Sequence, residues 1–369
     1  MQPDVVIAGA GMAGLVASAR LRELGVRATV HERGDRPGGS MLLSSGFVWR
    51  HREWEDFRRE CPGGDEALQR LVWERFDDAI AWLQGLGAEP TATETGNPLT
   101  AGARFDPRAL SALLARNADI RYSAPAGDVH EPLVLCTGGF SASTELVGRY
   151  VRPAAPLRLR GNPWSLGDGL RIGLDRGGAL SRGMDEFYGR NMPDAPWSES
   201  ELVALSQLYA RHARIFDEDG SEFFAAKDVT WSETNVVAAT ARRPGARAYY
   251  LLDEAALSAS VRDRTVAEMV AAAPVEARVD PEALPFAAPA GTVAAVRVVA
   301  SITHTIGGLS VDVRGRVLGS DGRPLPALWA AGVDAGGVAT GGYASGLAQA
   351  LVLGLAAAED VAATLGPSP

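Results

Sequence analysis

The sequence predicts an α/β protein whose main domain is interrupted by an inserted one. Three observations carry this: a strand–Gly-x-Gly-x-x-Gly–helix–strand start, strand-then-glycine segments at 133–140 and 328–332, and a loss of regular pattern from about 155 to 295. Asp4-Val5-Val6-Ile7-Ala8-Gly9 is a short apolar run closed by glycine, the mark of a buried strand. Ala13, Leu15, Val16, Ala19, Leu21 and Leu24 then recur at helical spacing up to Gly25. Arg27–Glu32 is the second strand. An amphipathic helix is predicted over 65–86, where Leu68, Leu71, Val72, Phe76, Ile80 and Leu83 repeat at steps of three and four. Leu133–Phe140 reads as a buried strand running into a glycine turn. In the irregular region, Tyr249-Tyr250-Leu251-Leu252 reads as a strand with one buried face and Arg242-Arg243 as a solvated pair. Leu328–Gly332 repeats the strand-then-glycine pattern, and 346–363 reads as the closing helix. The resulting division is 1–154 and 296–369 for the main domain, with 155–295 inserted.

Composition narrows the function classes. At ~100–200 residues per domain, 369 residues allow two domains or one large one with an insertion. The 46% hydrophobic content is that of a globular chain, and the net charge of −9 works against a nucleic-acid partner. Cys61 and Cys136 cannot build a disulfide framework, and no Cys/His spacing suggests a metal site. No apolar run reaches the ~18 residues of a membrane span; the longest, around Leu351–Leu355, soon meets Glu359 and Asp360. The N-terminus lacks the basic region of a signal peptide, so a cytoplasmic protein is expected. Lys227 is the only lysine, and the Arg, Ala, Gly and Pro richness points to a GC-rich bacterial genome.

Gly9-x-Gly11-x-x-Gly14 lies between the first strand and the first helix. There the first glycine permits a tight turn, the second lets backbone approach a pyrophosphate, and the third allows close helix–strand packing. Glu32 ends the second strand, where a carboxylate can accept both ribose hydroxyls of a dinucleotide. NAD and FAD both use this turn. The following Glu32-Arg33-Gly34-Asp35-Arg36-Pro37-Gly38-Gly39-Ser40 resembles the FAD-binding superfamily, in which an acidic residue, a basic residue and a Gly-Gly pair recur.

The C-terminal third narrows the resemblance. Ser301–Leu309 contains His304 and Gly307-Gly308; Leu328-Trp329-Ala330-Ala331-Gly332 and Gly341-Gly342-Tyr343-Ala344-Ser345-Gly346 follow. With Thr137-Gly138-Gly139-Phe140 and Gly167-Asp168-Gly169, this order resembles the fumarate reductase/succinate dehydrogenase flavoprotein family, which includes 3-ketosteroid dehydrogenases. The resemblance implies a Rossmann-like FAD-binding domain of the glutathione-reductase-type superfamily with an inserted α+β capping domain. It implies FAD contacts at Gly9, Gly11, Gly14, Glu32, Arg33, Gly38, Gly39, Ser40, Gly138, Gly332, Asp334, Ser345, Gly346 and Leu347. No histidine follows Gly38-Gly39-Ser40, where some members attach FAD covalently, so non-covalent FAD is expected. The chain departs from the family in length: only Ile120-Arg121-Tyr122 through Glu131-Pro132 stands where members carry an antiparallel hairpin.

The same resemblance implies His304 as the group holding a substrate oxygen and Tyr343 as a catalytic phenol, the two facing each other where the domains meet. Tyr188, Arg190, Trp231, Glu233 and Asn235 are the inserted region's candidates for a pocket. The dicarboxylate-binding members carry an arginine in the last glycine-rich turn; Tyr343-Ala344-Ser345 stands there in this chain. An FAD-dependent dehydrogenase or reductase acting on a carbon–carbon bond beside a carbonyl is therefore expected, with an apolar enone or ketone as the small-molecule substrate. A flavin amine oxidase and a non-catalytic flavoprotein subunit are the alternatives. No second Gly-x-Gly-x-x-Gly and no haem motif is present, so the electron partner is external: a quinone, a free flavin, a small redox protein or oxygen.

Overall fold

The computed structural model describes residues 4–127, 129, 132–261 and 264–366. In chain order its principal elements are β1 (Val5–Ala8), α1 (Met12–Glu23), β2 (Ala28–His31), β3 (Phe47–His51), α2 (Glu66–Gly85), β4 (Asp119–Arg121), β5 (Leu133–Leu135), α3 (Asp168–Asp175), β6 (Arg247–Leu252), β7 (Ala294–Thr305), β8 (Pro324–Ala330) and α4 (Gly346–Leu365). The chain divides into two units. The first comprises Met1–Val151, Gly161–Phe187 and His304–Pro369; the second comprises Arg152–Arg160 and Tyr188–Thr303.

In the first unit, the all-buried runs β1 and β5 form the middle of a sheet ordered β8-β5-β1-β2-β4, with Arg316–Leu318 added antiparallel at the β8 edge. The other four pairings are parallel, in register Val5↔Ala28, Val6↔Leu133, Leu328↔Leu133 and Thr29↔Asp119. Chain order runs outward from β1 through β2 to β4, then resumes on the other side of β1 with β5 and β8. This reversal makes the carboxyl ends of β1 and β5 a topological switch point, the place where open parallel sheets leave a crevice for a ligand.

The helices follow their sequence signals. Asp65 caps α2 by accepting from Leu68 N at 3.0 Å, and Leu68, Val72, Phe76, Ala79 and Leu83 form its buried stripe, with Leu71 and Ile80 half-buried beside it. α4 is long and apolar enough to cross a membrane by length and composition, yet 67% of its apolar window is buried, packed on α1 and α2. Gly354 permits the α1 contact: a Cβ there would lie 2.8 Å from the Ala13 carbonyl oxygen. Arg75 of α2 forks onto Glu359 of α4 at 2.8 and 3.1 Å.

The second unit is built on an antiparallel sheet in which β6 pairs with β7, Arg247↔Val299 to Leu252↔Ala294. Its core gathers Tyr209, Ile215, Val236, Tyr250, Val296 and Val298. Residues 161–187 differ from the sequence expectation: they belong to the first unit, because α3 makes its contacts with residues 33, 137 and 334. The strand 294–305 is likewise divided, with its last two residues in the first unit. Of the expected solvated pair, Arg242 is exposed, whereas Arg243 is half-buried, 3.7 Å from Asp217 and over the Phe223 ring. In the short segment after β4, Glu131 falls outside the described residues.

Candidate cofactor-binding and active site

The glycine turn sits at the switch point. Gly9 has φ +103°, and a Cβ there would lie 2.3 Å from the Cys136 carbonyl oxygen at the end of β5. At Gly14 a Cβ would meet the Gly9 carbonyl oxygen at 1.9 Å. Both positions are glycine because protein packs against them. Gly11 is different: nothing lies within 4 Å of its Cβ position. It opens α1, which has neither a side-chain cap nor an acidic residue in its first turn. A helix start without a side-chain cap leaves its first N–H groups available to an anion.

Glu32 is buried and braces the turn: Oε2 accepts from Ala10 N at 2.7 Å and Oε1 from Gly34 N at 2.6 Å. An ionised carboxylate offers about four acceptor positions, so each oxygen keeps one for a ribose hydroxyl. Gly38 N donates to Ala10 O at 2.7 Å, and a Cβ on Gly39, at φ +51°, would lie 3.1 Å from Gly11 Cα. The second glycine pair thus lies on the first. Ser40, in the short 3-10 turn Gly39–Leu43, is half-buried, and its hydroxyl makes no hydrogen bond among the described residues. Arg33 is held by Asp168, with Nε at 2.9 Å from Oδ2. An open second glycine, an uncapped helix start and a buried carboxylate with spare acceptors fit the adenosine and pyrophosphate of FAD.

Asp334 has another task. Its buried carboxylate accepts from Thr137 N, from Thr137 Oγ1 at 3.1 Å and from Gly139 N at 2.9 Å, while Gly169 packs against it. Burial raises its pKa, and these donors pull it back down. It ties the β5 turn to the segment after β8, so this expected cofactor contact also serves as an internal clamp. Gly138 (φ +89°) lies in the clamped turn, and Gly332 (φ +65°) lets the chain pass α1, where its Cβ would meet Ala13 Cβ at 3.1 Å.

The last glycine-rich turn leads into α4. Ser345 caps that helix by accepting from Ala348 N at 3.2 Å, and Gly346 and half-buried Leu347 begin it. The Tyr343 ring, partly exposed, packs on Trp49 of β3 at 5.4 Å between centroids. Its backbone lies beside the buried His51 ring and the Cys61 thiol, close enough to influence the titration of both. Burial lowers the His51 pKa and pushes the Cys61 thiol well up. Glu186 accepts from Gly341 N at 2.7 Å, and partial burial raises its pKa.

His304 and Tyr343 both belong to the first unit. His304 Nε2 lies 3.4 Å from the Cβ position of Gly346, at the start of α4, and Nδ1 is 3.1 Å from the Thr305 carbonyl oxygen. A carbonyl partner assigns the proton of the neutral ring to Nδ1, leaving Nε2 an acceptor. Burial lowers the His304 pKa. A neutral His304 therefore accepts at Nε2 and does not donate to a substrate carbonyl, which differs from the role the sequence suggested. Trp49, His51, Cys61 and Glu186 were missed by the sequence reading. No spacing signal links them to residue 343; only the fold does.

The inserted region's candidates all lie in the second unit. Arg190 is buried, stacks over the Tyr188 ring at 5.2 Å and donates to the Ser232 carbonyl. Glu233, buried at φ +56°, accepts from Ala210 N at 3.2 Å. Asn235 bridges Thr230 and Asp228, a local tie, and Trp231 is half-buried. Cys136 is core, its thiol pKa raised by complete burial.

Known proteins resemble this chain along most of its length. The FAD binding domain family matches residues 4–132 and 128–347. A fumarate reductase (cytochrome) of Shewanella frigidimarina is 22% identical, the alignment covering 91% of this chain and 72% of that protein. The 3-ketosteroid delta1-dehydrogenase of Sterolibacterium denitrificans, solved with 1,4-androstadiene-3,17-dione, superposes with a TM-score of 0.74 at 17% identity, over 98% of this chain and 99% of that one. The open conformation of a flavocytochrome c3 fumarate reductase gives 0.72 at 19% identity, over 99% and 78%. At such identities the solved structures establish a common fold.

Proposed function

This chain belongs to the FAD binding domain family, and on that basis we propose that it oxidises or reduces a carbon–carbon bond beside the carbonyl of an apolar enone or ketone. It is an FAD-dependent oxidoreductase, one of a set of homologous enzymes that act on carbon–carbon bonds. Bound FAD supplies the hydride-transferring centre; this chain's residues bind it, orient the substrate and move the proton. Gly11, the first turn of α1 and Glu32 hold the pyrophosphate and ribose, with Gly38, Gly39 and Ser40 closing over them. Cofactor contacts at Gly138, Gly332, Ser345, Gly346 and Leu347 complete the proposed set.

The observation that carries the substrate reading is the turn 341–346. It presents a partly exposed phenol at Tyr343, its ring packed on Trp49, where dicarboxylate-binding members carry an arginine. Two carboxylates call for cationic forks; a ketone oxygen needs a neutral donor, which a phenol is. In this reading Tyr343 donates to the substrate oxygen, and His304, neutral with Nε2 as acceptor, takes up or relays the proton. Glu186, whose raised pKa brings it nearer to neutrality, stands at the same turn as a second proton group. The partner is thus a small molecule, with an external electron carrier and a cytoplasmic setting.

The test is a substrate panel on FAD-loaded protein. A steroid-like enone should be turned over with a larger kcat/KM than fumarate. Tyr343→Phe should lower kcat by roughly 10²–10⁴-fold, the usual worth of a general acid or base, with FAD content unchanged. Faster turnover of fumarate would overturn the substrate reading, and wild-type rates in Tyr343→Phe would remove the phenol from the chemistry.

A further inference from the structure

We propose that Arg247 and Arg297 of the second unit, gathered with Arg158 around one carboxylate, form a binding site for a small tetrahedral oxydianion, either free phosphate or the phosphate end of a small ester. The three surround one buried carboxylate, Asp194, whose side chain is 3% exposed. Arg158 Nη2 lies 2.5 Å from Oδ1; Arg247 Nε and Arg297 Nε lie 2.8 and 3.0 Å from Oδ2. Strand register brings them together. On β7, Arg297, Val299 and Ser301 alternate onto one face, with Val299 opposite Arg247 and Ser301 opposite Arg158.

One carboxylate is matched by one guanidinium fork. Here three guanidinium groups share it, a local surplus of two positive charges in a chain whose net charge is −9. Arg158 is otherwise occupied: Nη1 donates to Ala195 O at 3.1 Å, and the group lies over the Trp197 ring. Arg247 Nε donates to Asp194 Oδ2, while Arg297 Nε pairs with the same oxygen by charge without hydrogen-bond geometry. Their terminal Nη groups make no hydrogen bond among the described residues, and their side chains are 40% and 37% exposed. Two anchored guanidinium groups with outward N–H edges match the oxygens of a phosphate group, and its two charges match the surplus. Asp194 sets the spacing, so the donors are in place before the anion arrives.

The experiment uses FAD-loaded protein, so that the pyrophosphate site is filled. Inorganic phosphate is titrated calorimetrically at constant ionic strength, with chloride making up the balance and flavin absorbance followed in parallel. Saturable binding of one phosphate with no loss of flavin is expected, weakened at least tenfold in the double variant R247Q/R297Q. A parallel titration with phenyl phosphate separates the sources: comparable affinity indicates an ester end, and binding of inorganic phosphate alone indicates the free ion. R247K keeps the charge but loses the fork and should also weaken binding, so misfolding of the double variant would not remove the test. Absence of saturable phosphate binding to the wild type, or equal affinity in a folded variant, would overturn the proposal.

Discussion

Gly11 and Gly14 stand three residues apart in one motif, yet they do different work, and substitution should separate them. A side chain at Gly14 meets a backbone oxygen at 1.9 Å, so Gly14→Ala should destabilise the apoprotein by about 1–3 kcal/mol or more, as overpacking does. A Cβ at Gly11 meets no protein atom within 4 Å, so Gly11→Val should lower apoprotein stability by only about 1 kcal/mol, through its position at the helix start, and still abolish FAD binding. Denaturant titration of both apoproteins and flavin titration of both variants check this; FAD binding at wild-type affinity by Gly11→Val would mean the pyrophosphate lies elsewhere. The histidines give a pH dependence. His51 and His304 both have pKa values lowered by burial, so folding favours their neutral forms. Their contribution is complete above the unfolded value of about 6.5 and is lost as pH falls from there through the folded values. Unfolding free energy should therefore decline on acidification below about 6.5, and less steeply in His51→Gln/His304→Gln, as denaturation across that range would show. An equal slope in the two proteins would contradict the burial assignment.

At the scale of elements, what could be read from sequence was what is periodic or local. The β1–α1–β2 start was visible because two apolar runs flank a motif whose glycines each have a steric reason. α2 showed its stripe and α4 its apolar run. What could not be read depends on contacts between distant segments. Trp49 and His51 reach Tyr343 only because β3 lies beside the start of α4. Asp334 was implied as a cofactor contact by the family resemblance alone; the three donors that its carboxylate also accepts come from residues 137 and 139, which no spacing links to it. The α1–α4 contact is the element-level feature on which the site most depends, since one helix starts at Gly11 and the other at the Tyr343 turn. Gly354→Leu should force the helices apart against the Ala13 carbonyl, destabilising the fold by about 1–3 kcal/mol and weakening FAD binding with it. Thermal melts of apo and FAD-loaded protein would show both losses; a lost cofactor with an unchanged apoprotein melt would place Gly354 at the cofactor itself.

For the whole molecule, the first unit is assembled from three stretches of chain, and every proposed cofactor contact falls within it: 9–40, 138 and 332–347. The loss of regular pattern from about 155 put residues 161–187 in the inserted region, although Gly167-Asp168-Gly169 belongs to the family resemblance. Their place in the first unit rests on Asp168 meeting Arg33 and on Gly169 fitting against Asp334, neither of which is periodic. The chain aligns to 72% of the Shewanella protein and carries the glycine turn, Glu32 and the Tyr343 turn in its first unit. The most direct measurement is the flavin of the purified protein. One FAD per chain should be present, all of it released into the supernatant by acid precipitation. The spectrum should bleach with dithionite under nitrogen and return when an enone is added. A protein that takes up no FAD, or whose reduced flavin is never reoxidised by any carbon–carbon double bond beside a carbonyl, would contradict the assignment.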